Sequence, residues 1–342
     1  MSPLLAQGTR GITLAHIRHV TPVPPDRATG TVARVYHDME HDFGMLAPPI
    51  ALHAPEPDVL AGAWIVFRET MLPSMAASRA AKETVAAAVS LANRCPYCVD
   101  VHGTTLAGLT GGGDARALAD GRIDQMRDPA MRALARWARR DGTDPAPFPA
   151  TAAEAPELIA TVVVFEYLNR MVNVFLRDSP LPPLTGLAAG LARRGAARVM
   201  GRLARRRARA GASLGLLPAP AAPLVPDWAA GQPHIAAAMA RATAALETGA
   251  APYVAGPVRA LVTAALDGGA PAGAVAVETL PEALRPAGRL AMLTALASYR
   301  VTDTVVGQFR DAGHDDAELV RLTAWASWSA ARRVGTSPSL GH

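Results

Sequence analysis

At 342 residues and 35.5 kDa the chain has room for about two domains and a substantial buried core. Half of its residues are hydrophobic but only 5 % are aromatic, so the apolar mass is Ala, Leu and Val; runs of β-branched and aromatic residues are nearly absent. This excludes an alternating β/α or β-rich architecture and predicts an all-α fold. The net charge of +5 comes from arginine, Lys82 being the only lysine, and the pI is near 9.7.

Residues 1–18 show no charged start followed by an apolar core, so no secretory leader is expected. Helices are predicted at 27–43, 57–69, 78–93 with Ser78 as N-cap, 96–109 stopped by the Gly111, Gly112, Gly113 run, 128–140 and 155–177. The longest apolar stretch, 160–176, is interrupted by Glu166 and Arg170 and is shorter than the ~20 residues a membrane span takes. The chain is therefore read as soluble and cytoplasmic, with no membrane partner. In the last of these helices Glu166, Asn169, Arg170 and Asn173 share one face, which predicts a polar groove or an internal interface with Glu166 paired to Arg170. His37, His41 and His53 are read as surface or packing residues.

Residues 179–226 change character. Pro180, Leu181, Pro182 and Pro183 open the segment, and Pro218, Pro220, Pro223 and Pro226 close it. Between them lie Arg193, Arg194, Arg198, Arg202, Arg205, Arg206, Arg207 and Arg209, predicting a linker with one basic helix. Such a cluster attracts nucleic acid or anionic lipid in principle. It carries no stacking aromatics and no reader motif, so no nucleic-acid partner is expected. Residues 227–335 return to helical patterning, with Trp325 and Trp328 as core anchors.

An offset of 205 positions aligns Ala86, Leu91, Ala92, Ala107 and Gly108 with Ala291, Leu296, Ala297, Ala312 and Gly313 without a gap. The division expected is thus 1–178, a linker at 179–226, and a related second helical region at 227–342. At the same offset Glu83, Cys95, Cys98 and His102 meet Gly288, Arg300, Asp303 and Gly307, so only the first region keeps these reactive side chains.

Both cysteines of the chain fall in Cys95-Pro96-Tyr97-Cys98-Val99-Asp100-Val101-His102. A C-x-x-C-x-x-x-H element in a chain otherwise free of cysteine points to thiol chemistry or a metal. Pro96 suits the first helical position, which makes Cys95 the N-cap and puts Cys98 in the first turn, where unpaired amides favour a thiolate. Lowering a thiol from ~8.5 by about two units, ~2.7 kcal/mol, makes it mostly thiolate at neutral pH. His102, four residues on, shares a helix face with Cys98 and can exchange a proton with it. Cys95 is close enough to Cys98 for a disulfide if the first turn permits it. A hairpin at Asn93 and Arg94 would fold Glu83 back opposite His102 as the carboxylate of a relay. The same residues admit blander readings: a zinc site with Glu83 as fourth ligand, for which no second knuckle exists, a pair of buried, inert cysteines, a His102 that is simply a satisfied helix histidine, or a Glu83 simply paired with Arg79 at i−4.

Glu83, twelve residues before Cys95, together with Asn93-Arg94-Cys95-Pro96-Tyr97-Cys98 and His102, resembles the alkylhydroperoxidase D-like group of the carboxymuconolactone decarboxylase superfamily. The resemblance covers residues 20–107 well and the remainder loosely. It implies an all-helical homo-oligomer, a hydroperoxide substrate, an external thiol or disulfide electron donor, and no cofactor or metal. It further implies Cys98 as the peroxide-attacking thiol, Cys95 as its resolving partner and His102 with Glu83 as proton relay. The sequence departs from the best-known members at Tyr97, where they carry histidine. The superfamily's decarboxylases lack the cysteine pair, so that activity is not implied. The expected function is thiol-dependent peroxide reduction; the alternative is a non-enzymatic metal-binding or redox-sensing scaffold.

Overall fold

Fourteen α-helices and no strand make up the described residues of the computed structural model, which are 11, 13–140, 148–179, 186–222, 225–269 and 276–336. In chain order the helices are α1 (Gly30–Asp38), α2 (Pro48–Ala51), α3 (Pro57–Met71), α4 (Arg79–Ala92), α5 (Pro96–Thr110), α6 (Gly113–Ala119) and α7 (Pro129–Arg139). There follow α8 (Ala155–Phe175), α9 (Gly186–Ala204), α10 (Pro233–Thr243), α11 (Gly256–Asp267), α12 (Arg285–Ala297), α13 (Asp303–Asp311) and α14 (Asp316–Gly335). The all-α expectation holds. Pro180, Leu181, Pro182, Pro183 and Pro223 lie outside the described residues.

The helix starts follow their caps. Ser78 Oγ accepts from Ala81 N at 3.1 Å to open α4, and Asp128 Oδ1 accepts from Ala130 N and Met131 N to open α7. Helix α5 ends at Gly111, whose φ of +95° closes it in the left-handed conformation that glycine adopts without strain. The glycine run that stops α5 also starts α6, a short helix that the sequence did not betray.

Helix α8 is the central element. It packs against α4 on one side and α14 on another, and nearly all of its side chains are buried. Its length and mean hydropathy of 1.4 would suit a membrane span, but 89 % of that window is buried inside the protein. Trp328 of α14 is fully buried, edge-on to Tyr167 of α8 at 5.6 Å, with its Nε1 donating to Thr243 Oγ1. His53 is likewise buried and meets the Tyr167 hydroxyl at 2.8 Å, whereas His37 and His41 lie on the surface.

Lys82 is 1 % exposed. Its ammonium reaches Glu157 Oε2 at 2.5 Å and donates to the carbonyls of Thr70 and Pro73 at 2.9 Å. Desolvation pulls its pKa down while Glu157 opposes the fall, so a charge that would be prohibitive alone is tolerated within this core.

The arginine-rich helix α9 lies along α5. A Cβ on Gly108 would stand 2.0 Å from the Ala197 carbonyl oxygen, and one on Gly201 would stand 2.5 Å from the Gly108 oxygen. The two backbones therefore touch directly, which only glycine at both positions allows. Below α9, buried Glu69 accepts from Gly211 N, Ser213 N and Ser213 Oγ and docks the following chain against α3.

Candidate active site

The α4–α5 hairpin brings the predicted residues together. Asn93 and Arg94 make the turn, Arg94 with φ +50°, and Cys95 is the N-cap residue ahead of Pro96. Glu83 Oε2 lies 2.7 Å from His102 Nδ1, while its Oε1 accepts from Arg79 Nε at 2.7 Å. Glu83 therefore pairs at once with Arg79 one turn back and with the imidazole across the hairpin.

Glu83 is 1 % exposed. Burial would raise its pKa, but the Arg79 guanidinium and His102 outweigh that effect and hold it below the usual carboxylate range. A carboxylate at Nδ1 selects the tautomer with its proton there and leaves Nε2 as the basic nitrogen. Phe165 of α8 stands edge-on to the His102 ring at 4.4 Å and fixes its plane.

The two sulfurs differ in access. Cys98 lines a cavity of about 270 Å³ together with His102, Glu83, Arg79 and Tyr97; Cys95 is not among the lining residues and lies behind it. Both are free thiols. Burial pushes the Cys95 thiol well above its ordinary value, and neighbouring Cys98 acts in the same direction. Cys95 is therefore a sulfur that stays protonated at neutral pH.

The cavity walls are largely apolar. Phe43 and Ile50 come from the N-terminal part, Phe67 from α3, Phe165 and Leu168 from α8, and Ala196 and Met200 from α9. Thr13 and His16 close one side, held by the pairing of Arg18 N with Phe175 O at 2.8 Å. His16 has a buried Nδ1 without a hydrogen-bond partner and stands edge-on to Tyr97 at 6.3 Å. Desolvation, aided by Arg177, keeps its pKa below the ordinary value, so its ring is neutral. No sequence pattern links residue 16 to residue 98, which lie 82 positions apart in the chain.

The polar face of α8 holds the hairpin turn. Asn173 Nδ2 donates to Asn93 O at 3.0 Å, and Asn169 Nδ2 donates to Ser90 Oγ at 3.1 Å. Arg170 pairs with Glu166 as expected, and Arg140 joins the same carboxylate. The groove predicted from spacing is thus filled by the turn that presents the cysteines. Among the described residues no three His, Cys, Asp or Glu side chains are grouped to hold a metal ion, and both oxygens of Glu83 are already engaged.

An alkyl hydroperoxide reductase of Mycobacterium tuberculosis is 37 % identical to this chain over 332 residues, which is 94 % of either protein. The chain belongs to the alkylhydroperoxidase D-like family. No family model and no solved structure matches it. Within this alkylhydroperoxidase D-like chain the residue between the cysteines, Tyr97, is buried, and burial with the two sulfurs raises its phenol pKa. A tyrosine so held stays protonated at neutral pH and presents a hydroxyl rather than a titrating imidazole.

Proposed function

We propose that this protein reduces organic hydroperoxides through Cys98, with Cys95 as resolving thiol and the Glu83–His102 pair as proton relay. The observation that carries the reading is the asymmetry of the sulfurs. Cys98 reaches the cavity beside a carboxylate-oriented imidazole, and Cys95 waits behind it as a neutral thiol.

In the first step the Cys98 thiolate attacks the terminal peroxide oxygen. The O–O bond breaks, the alcohol leaves with a proton passed by His102, and Cys98 becomes a sulfenic acid. In the second step the Cys95 sulfur attacks Cys98, its proton leaves with the departing oxygen as water, and a disulfide forms. An external dithiol supplies two electrons to restore both thiols, which suits a cytoplasmic setting.

The same reading assigns no peroxide chemistry to residues 227–342. Shifting α4 by 205 positions gives 284–297, within one residue of α12, which supports a repeated helical unit there. The positions matching the four reactive residues carry none of their groups. We read this region as the degenerate partner that fills a neighbour's place in a homo-oligomer.

The test is a single turnover. Reduced protein mixed with cumene hydroperoxide should consume one equivalent and lose both titratable thiols. Cys98→Ser should consume none, and Cys95→Ser should stop at a dimedone-reactive sulfenic acid. Undiminished consumption by Cys98→Ser would overturn the reading.

A further inference from the structure

Helix α9 has two working faces. Its inner face contributes Ala196 and Met200 to the wall of the cavity that holds Cys98. On the opposite side Arg194, Arg198 and Arg202 recur every fourth residue, all exposed and none of them with a partner among the described residues. Beside that row runs a second one, Leu191, Gly195 and Val199, in which Leu191 is 67 % and Val199 49 % exposed. Residues 179–226 contain no Asp or Glu, so nothing local neutralises the row.

From this geometry we infer that the outer face of α9 seats the protein on an anionic lipid surface, and that the cavity beneath takes hydroperoxides of fatty-acyl chains from it. The substrate part rests on the peroxidase reading above; the docking part stands without it. An arginine row alternating with exposed aliphatic side chains on one helix is the pattern of an interfacial helix, whose basic side chains meet headgroups while its apolar ones enter the acyl boundary. The expectation of no membrane partner rested on the want of a spanning segment, and peripheral docking needs none.

The charge argues against a second copy as occupant, because two such faces would repel. The absence of aromatic side chains from the row argues against a single-stranded nucleic acid. The platform is also fixed to the body. Gly108 and Gly201 bring α9 and α5 into backbone contact, and Arg205 Nη2 donates to the Gly108 carbonyl at 3.0 Å. A chain leaving the lipid surface therefore has about one helix diameter, ~10 Å, to travel to the cavity.

Co-sedimentation of the whole protein with vesicles tests the proposal. Binding is expected to vesicles of phosphatidylcholine mixed with phosphatidylglycerol and not to phosphatidylcholine alone, and it should weaken with salt. The triple variant R194S/R198S/R202S should lose binding on the order of a hundredfold. Leu191→Ser with Val199→Ser should also weaken it, which charge attraction alone would not predict.

None of these residues lines the cavity, so all variants should consume soluble cumene hydroperoxide at the parent rate. Consumption of vesicle-borne phospholipid hydroperoxide should fall in the triple variant. Protein that stays in solution with the anionic vesicles overturns the docking, whatever acidic polypeptide or nucleic acid it retains. So does equal binding to neutral vesicles, or an unaltered triple variant. Loss of soluble peroxide consumption in the parent would instead remove the peroxidase reading and leave the vesicle result standing.

Discussion

Glu83 owes its charge to its neighbours. A carboxylate this buried would ordinarily take up a proton, yet Arg79 and His102 hold it below the ordinary value of 4.5. The sign follows from linkage: its contribution to stability is complete above the unfolded value and is lost as pH falls towards the depressed folded value. Glu83→Gln should lower stability by about 1–3 kcal/mol at neutral pH. The difference from the parent, read as a urea midpoint, should shrink below pH 4.5. The same variant should lose ~100-fold in peroxide consumption, since its amide no longer stabilises a protonated His102. A variant that keeps full activity would detach the carboxylate from the relay.

At the scale of elements, the α4–α5 hairpin and the α5–α9 contact decide the site. The hairpin was legible because Ser78, Pro96 and the glycine run at 111–113 are local signals, and the C-x-x-C-x-x-x-H spacing puts Cys98 and His102 on one face without reference to the rest of the chain. What grips the turn was only half legible. Asn169 and Asn173 announced a polar face, but their partners Ser90 and Asn93 stand far away in sequence, and no periodicity reports pairing at that range. The contribution of α9 was hidden for a similar reason, because an arginine-rich segment between prolines reads as a solvated connector. The close approach at Gly108 gives a direct check. Gly108→Ala puts a methyl against a backbone oxygen that cannot yield, so stability should fall by about 1–3 kcal/mol. With α9 displaced and its wall of the cavity opened, Cys98 should alkylate faster; an unchanged rate would free the cavity from dependence on this helix.

For the molecule as a whole, α8 is the spine shared by both ends of the chain. Arg170 Nε donates to Ala295 O and Asn173 Nδ2 to Ser298 Oγ, while α14 packs along the same helix. A chain ending at residue 226 would expose the face of α8 that α14 covers, and its fully buried side chains carry on the order of 1.5–3 kcal/mol each. Such a truncation should be insoluble or lack a cooperative thermal transition. A truncated protein that melts sharply would show that 227–342 folds apart.

Composition and topology place the sole amine-bearing side chain, Lys82, under the junction of α3, α4 and α8, with its nitrogen saturated by two carbonyls and Glu157. Acetic anhydride or a succinimidyl ester consequently finds no lysine on the native surface. Peptide mapping should show residue 82 unmodified until denaturant opens that junction, and modified in a single step thereafter. Acylation of this one position becomes a clock that times the global opening of the protein and ignores its surface.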